Sequence, residues 1–225
     1  MFIHGRIRGD MKTNTRLVGI LALTLFVFLP SYALAASVDT VLKGLKATYS
    51  GVDTLSAAFT QVVSMKGAKS GRSASGKVWF KRPGMMRWVY ELPEPDEIVG
   101  DGAAIWVYQP DLNQVIETGA NEIYSSIAVD FLTGITNLEK GFKITLAKEG
   151  ADAYLLKLEP RQELAGVALV MIEVDKKTGL VIKTVVEDMF GSQTVVSFTK
   201  VKTNEPVEDS FFKFALPKGA TVVRP

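Results

Sequence analysis

The sequence predicts a mainly β protein with a few helices, organised as one long antiparallel meander. Strand-like segments follow one another at short intervals set by turn residues, leaving no room for the long crossovers that parallel pairs need. All three tryptophans, Trp79, Trp88 and Trp106, fall in one short window of such segments. Two stretches alone carry helical periodicity, one near the start and one in the middle of the chain.

From the N-terminus, Met11-Lys-Thr-Asn-Thr-Arg16 is a basic region. Leu17 to Leu29 is apolar apart from Gly19 and Thr24, and Ala33-Leu34-Ala35 is a small-x-small cleavage site. Residues 1–35 therefore read as a signal peptide, with Met11 the more ordinary start, and the chain as exported. The apolar run is shorter than the roughly 20 residues of a membrane span. Residues 36–225, 190 in number after cleavage at Ala35, suit one well-buried domain.

Val38, Val41, Leu42, Leu45 and Tyr49 recur at helical spacing, with Ser37 or Asp39 as N-cap and Gly51 as a stop. Strands are expected over 55–65, 77–81, 86–90, 97–100, 105–108 and 114–118. Pro83-Gly84 turns one hairpin, and Asp101-Gly102 suits a type I′ loop, which needs φ > 0 at both central positions. Ile123, Ile127 and Phe131, with Tyr124, Ala128 and Leu132 beside them, then follow helical spacing up to Gly134. Strands resume over 142–147, 154–158, 168–174, 180–187, 194–201 and 211–215, with Lys177-Thr178-Gly179 and Phe190-Gly191-Ser192 as hairpin turns. A meander this long must close or be covered, since an open sheet leaves free edges and an uncovered apolar face. The two helical stretches are the available cover.

Composition narrows the chemistry. There is no cysteine, and the one histidine, His4, lies upstream of the cleavage site. Nucleophilic triads, His-ligated zinc and disulfide scaffolds are excluded from the mature chain, and no metal or cofactor is expected. Without cysteine the mature chain cannot itself be lipidated. With four of the 26 basic side chains and one of the 24 acids upstream of Ala36, the remainder carries a net charge of −1. That balance argues against nucleic acid and supplies no polybasic membrane patch.

The order SGKVWFKRPGMMRWVY over 75–90, then Pro93 and Pro95, Gly100-Asp101-Gly102, Ile105-Trp106-Val107-Tyr108 and Gln114-Val115, closely resembles the LolA family of periplasmic lipoprotein carriers. The likeness extends to Phe59-Thr60-Gln61, to DFLTG at 130–134 and to FKFALPKG at 212–219. It implies an incomplete, strongly curved antiparallel β-barrel, its apolar concave face lidded by helices. It also implies a monomeric periplasmic shuttle that takes triacylated lipoproteins from an inner-membrane ABC transporter to an outer-membrane lipoprotein receptor. Some relatives carry a longer C-terminal tail that adds to the sheet edge; this chain stops soon after Gly219.

Alternation on the third strand puts Met86, Trp88 and Tyr90 on one face and Met85, Arg87 and Val89 on the other. The first set is expected to line the acyl-chain cavity, as the resemblance implies, against the plainer reading that these rings fill a core. Phe59, Phe80, Trp106 and Tyr108 are assigned to the same cavity, and Leu42, Leu45, Ile127, Phe131 and Leu132 to the lid helices. Arg82, by default a solvated turn residue before Pro83, is implied by the resemblance to latch the lid through backbone carbonyls, its expected partners lying in 126–132. Its forked donors suit several carbonyls at once.

Two other functions compete: a lipid- or lipoprotein-sensing module of the same fold, and a glycan hydrolase using carboxylates such as Glu91, Asp96, Glu97, Asp101 or Asp111. Those acids sit mostly at strand ends and turns, where solvation accounts for them, so no catalytic residue is assigned.

Overall fold

A computed structural model of the protein describes residue 1 and residues 36–68, 70–119, 138–164 and 166–224. Helix α1 (Val38–Ser50) opens the described domain. Ser37 is its N-cap, the hydroxyl accepting the Thr40 N–H at 3.2 Å, while Asp39 sits in the first turn beside the positive end of the dipole. Val41, Leu42, Leu45 and Tyr49 form its buried stripe.

Six strands follow: β1 (Thr54–Ser64), β2 (Arg72–Lys81), β3 (Met85–Leu92), β4 (Glu97–Asp101), β5 (Ala104–Gln109) and β6 (Gln114–Gly119). After the short helix α2 (Leu138–Gly141) come β7 (Phe142–Glu149), β8 (Ala153–Pro160), β9 (Val167–Asp175), β10 (Val181–Asp188) and β11 (Gln193–Thr203). A 3₁₀ turn (Asp209–Phe212) and β12 (Thr221–Val223) end the chain. All twelve strands form one sheet in the order β12-β6-β5-β4-β3-β2-β1-β11-β10-β9-β8-β7. Among the described residues the two ends of this sheet do not hydrogen-bond to each other, so the barrel is unclosed.

Pairing between β1 and β11 makes this one sheet of two meanders. Leu55 lies opposite Thr203 and Ser64 opposite Gln193. The sheet is strongly bent: the rings of Trp88 on β3 and Phe198 on β11, three strand spacings apart in the order, have centroids 6.3 Å from each other. In a flat sheet that separation would be about 14 Å. A single hydrophobic cluster consequently joins Phe59 and Trp88 from one half with Leu156 and Ile172 from the other, under Leu42, Leu45 and Tyr49 of α1.

Three expectations change. The strand expected at 211–215 is a 3₁₀ turn and an extended segment outside the sheet. The last strand is instead β12, which adds to the edge in parallel with β6, Val222 opposite Val115, so the short tail suffices for that contact. In the β4–β5 hairpin, Gly102 has φ 97° but Ala103 is not left-handed, as a type II′ loop requires rather than I′. The Asp101 carboxylate supports that turn by accepting from the N–H groups of Ala103 and Ala104 at 2.9 and 3.0 Å. The helical stretch with Ile123, Ile127, Phe131 and Leu132 lies outside the described residues.

Candidate functional site

Antiparallel register decides which side chains share the inner face. Phe80 lies opposite Met86 and Val78 opposite Trp88, while Trp88 in turn faces Ile98 on β4. Phe59 enters the same face from β1. Met86, Trp88, Phe59 and Phe80 are all buried there. Trp88 is the centre of an aromatic group, 4.6 Å from Phe59 and 6.3 Å from each of Phe80, Tyr90 and Phe198 between ring centroids. Tyr90 meets Phe59 edge-on at 5.1 Å.

Around Trp88 the inner face is apolar; polar groups enter it at the Tyr90 end and at Thr184 of β10, buried opposite Ile172 and Val196. At the first of these, the Tyr90 hydroxyl donates to Gln61 Oε1 at 3.0 Å. Burial, reinforced by the negative Asp96 nearby, pushes the phenol up to about 12. Trp88 Nε1–H is buried and reaches no acceptor at hydrogen-bonding geometry, although the Tyr90 hydroxyl is close enough to interact with it. Just beyond, a groove of ≈ 310 Å³ is bounded by Gln61, Val63, Arg72, Tyr90, Ile98 and Val107.

Helix α1 covers the other end. Leu42 and Leu45 pack into the inner cluster. Tyr49 is buried, and its hydroxyl accepts the Val181 N–H of β10 at 3.2 Å. Burial pushes its phenol up to about 12, against the smaller lowering effect of that backbone bond. Only ≈ 20 Å³ of space remains between Tyr49, Leu55, Phe80 and Arg82. At the C-terminus of α1, Arg82 donates from Nη2 to the Tyr49 carbonyl and from Nη1 to the Ser50 carbonyl at 3.4 Å. A helix end leaves such carbonyls unpaired and carries partial negative charge, so a guanidinium satisfies it on both counts. The expected partners in 126–132 lie outside the described residues.

Trp106 and Tyr108 do not join this group. Trp106 is opposite Val99, which is opposite Arg87, so all three share the outer face. There Trp106 stacks on Phe214 at 5.7 Å with 12° between planes, and Tyr108 approaches the same ring at 6.4 Å. Trp79 packs edge-on against Phe211, whose ring also lies under the Arg87 guanidinium at 4.8 Å. The window rich in tryptophan thus serves two faces, and the C-terminal segment covers the outer one.

A concave, largely apolar face covered at one end by α1, with an arginine of an Arg-Pro-Gly turn holding that helix, is the arrangement to set beside known proteins. The family model described as "Outer membrane lipoprotein carrier protein LolA" matches residues 50–215. This chain belongs to the LolA family. An outer-membrane lipoprotein carrier protein of Chromobacterium violaceum is 32% identical over 204 residues, covering 88% of this chain and 97% of that one. One of Dechloromonas aromatica is 33% identical over 204 residues, with 91% and 95% covered. Among solved structures, an uncharacterized conserved protein from Thermus thermophilus matches with a TM-score of 0.55 at 14% identity, covering 83% of this chain and 98% of that one. That likeness concerns the fold. Tyr49, Gln61, Ile98 and Phe198 are among the members of this face that sequence reasoning did not assign to it. Tyr49 carried a signal, lying on the apolar stripe of α1; Phe198 did not, because its place depends on the β1–β11 pairing.

Proposed function

We propose that the protein carries lipoproteins between the inner and outer membranes, sheltering their acyl chains on the inner face. The observation that supports this most directly is the aromatic group around Trp88, buried in one apolar cluster with Leu42, Leu45 and Tyr49 of α1 inside a sheet that does not close. Relatives that span nearly the whole chain are named carriers. Periplasmic residence, with residues 1–35 as the export signal, fits that work.

The energetics define the task. Each buried CH₂ is worth about 0.8 kcal/mol, so an acyl chain of ordinary length costs on the order of 10 kcal/mol to bring into water. Loading then needs energy from the donor, for which an inner-membrane ABC transporter is suited, and delivery to an outer-membrane receptor runs downhill if the receptor holds the chains better. Here Met86, Trp88 and Phe59 share one buried cluster with Leu42, Leu45 and Tyr49 of α1. Cargo therefore replaces contacts with α1, and the free energy of closing the empty face opposes retention and assists release.

The test is to mix the purified protein with a triacylated lipoprotein and, separately, with the same polypeptide lacking its acyl chains. A soluble complex formed by the acylated form alone is expected. Equal binding of both forms, or of neither, would remove the carrier reading.

A further inference from the structure

The geometry points to a polar subsite at one end of the inner face, where Gln61, Tyr90 and Trp88 receive a neutral acyl carbonyl, of an ester or an amide, while its hydrocarbon chain runs on into the apolar cluster. That the chain belongs to acylated cargo rests on the carrier reading. The preference for a neutral carbonyl rests on the side chains of the groove.

Strand register brings the three polar groups together. Gln61 follows Phe59 by two residues on β1, and Tyr90 follows Trp88 by two on β3, so all four side chains share the inner face. Gly76 of β2 lies opposite both Phe59 and Tyr90 and has no side chain to separate them. The Tyr90 ring meets Phe59 at 5.1 Å, and its hydroxyl reaches Gln61 Oε1.

Donors are left over at this spot. With its oxygen taken by Tyr90, Gln61 keeps the hydrogens on Nε2, for which no described residue is an acceptor. Trp88 is only 4% exposed, yet its Nε1–H beside the Tyr90 hydroxyl makes no hydrogen bond of good geometry. Buried N–H donors in that condition are rare in folded proteins, and an acceptor brought by a ligand accounts for this one. A carbonyl oxygen has two lone pairs and no hydrogen, so it can take donors from two sides.

The groove of ≈ 310 Å³ supplies the room and the direction. Its wall includes Gln61, Tyr90 and Ile98, and the last two also pack against the inner hydrophobic cluster. Polar wall and apolar cluster thus adjoin, in the order of an acyl linkage and its chain. Gln61 stands at the groove and Trp88 one ring deeper, so the first is met on entry and the second as the chain displaces packing in the cluster.

Other polar heads fit less well. The wall holds two acids, Glu94 and Asp96, and one cation, Arg72. Burial raises the Asp96 carboxyl above its usual range, with the bond from Gln109 opposing and the charges of Glu94 and Asp111 adding to the rise. A free fatty acid would bring another negative charge to this wall; a neutral carbonyl does not. An ammonium head has donors only and cannot use the Gln61 and Trp88 N–H groups.

The experiment compares probes of equal chain length on the purified protein at neutral pH: glycerol monopalmitate, palmitoyl ethanolamide, the carbonyl-free hexadecyl glycerol ether, palmitate and hexadecylamine. The ester and the amide should each bind about tenfold more tightly than the ether, the worth of one or two neutral hydrogen bonds, and more tightly than either charged probe. Whichever of the two binds more tightly names the linkage that is read. Gln61→Leu should shrink the ester-to-ether ratio several-fold. So should Gln61→Glu, which keeps an acceptor for Tyr90 but replaces the free donor by an anion. A variant that merely loosened the fold would weaken both probes and leave the ratio standing. A ratio near one in the wild type, a ratio unchanged by either substitution, or tighter binding of palmitate or hexadecylamine than of the ester would overturn the subsite alone. If no probe binds the wild-type protein, the carrier reading fails and the subsite with it.

Discussion

The guanidinium of Arg82 is bonded to the main-chain carbonyl of Tyr49, a residue whose own hydroxyl is bonded to the sheet at Val181. One residue of α1 is therefore held to β10 through its side chain and to the β2–β3 turn through its backbone. Whatever frees the C-terminal turn of the helix must break both attachments.

Arg82→Leu removes two hydrogen bonds from a charged donor. Each is worth roughly 1.5–3 kcal/mol before discounting, and exposure of the guanidinium reduces the sum to about 1–2 kcal/mol. The empty closed state should weaken while the acyl-binding surface stays intact. Loading should persist, cargo transfer to an acceptor membrane should slow several-fold, and amide exchange in the last turn of α1 should quicken. Transfer of labelled lipoprotein, with loading assayed separately, checks this; transfer at the wild-type rate would show that the arginine is not a latch.

Trp88→Glu places a carboxylate among Phe59, Phe80, Tyr90 and Phe198, at a desolvation cost of several kcal/mol. Binding of an acyl probe should collapse. Because the site is also core, Trp88→Leu serves as the milder companion, expected to cost about 2–4 kcal/mol in stability and to weaken the probe without abolishing it. Chemical denaturation and probe titration on both variants separate folding from binding. A folded Trp88→Glu protein with normal affinity would take the ring out of the site.

Trp106→Ala should behave in the opposite manner. It removes a ring stacked on Phe214 on the outer face, so stability should fall by about 1–3 kcal/mol with acyl affinity unchanged in the folded protein. Reduced affinity at full stability would contradict the face assignment.

The Tyr49 phenol ionises near 10 when unfolded but only at about 12 in the folded protein. The unfolded state thus loses its proton first as pH rises. Stability from this group is complete below pH 10 and declines across the window from 10 to 12, by about 2–3 kcal/mol in all. Tyr49→Phe should flatten that decline in alkaline denaturation curves, whereas an unchanged slope would show the ring ionising as freely as in water.

Local patterning was enough for the strands that pair with their neighbours in sequence. Met86, Trp88 and Tyr90 alternate with Met85, Arg87 and Val89, and the structure puts the two sets on opposite faces. Face assignment failed at Trp106 and Tyr108 because alternation gives two faces without saying which is the inner one. That choice depends on register through β4, where Val99 joins Arg87 to Trp106. The 211–215 segment looked like a strand for a related reason: its aromatic side chains pack against the sheet, yet its backbone does not join it.

The pairing of Leu55 with Thr203 has a temporal consequence. β1 emerges early when a chain is made or threaded from its N-terminus, but its partner on one side is nearly the last strand to appear. The joint between the two meanders cannot form until almost the whole polypeptide is available, and such distant contacts are slow to close. Until β11 is present, the edge of β1 that it covers stays open, its N–H and C=O groups unpaired.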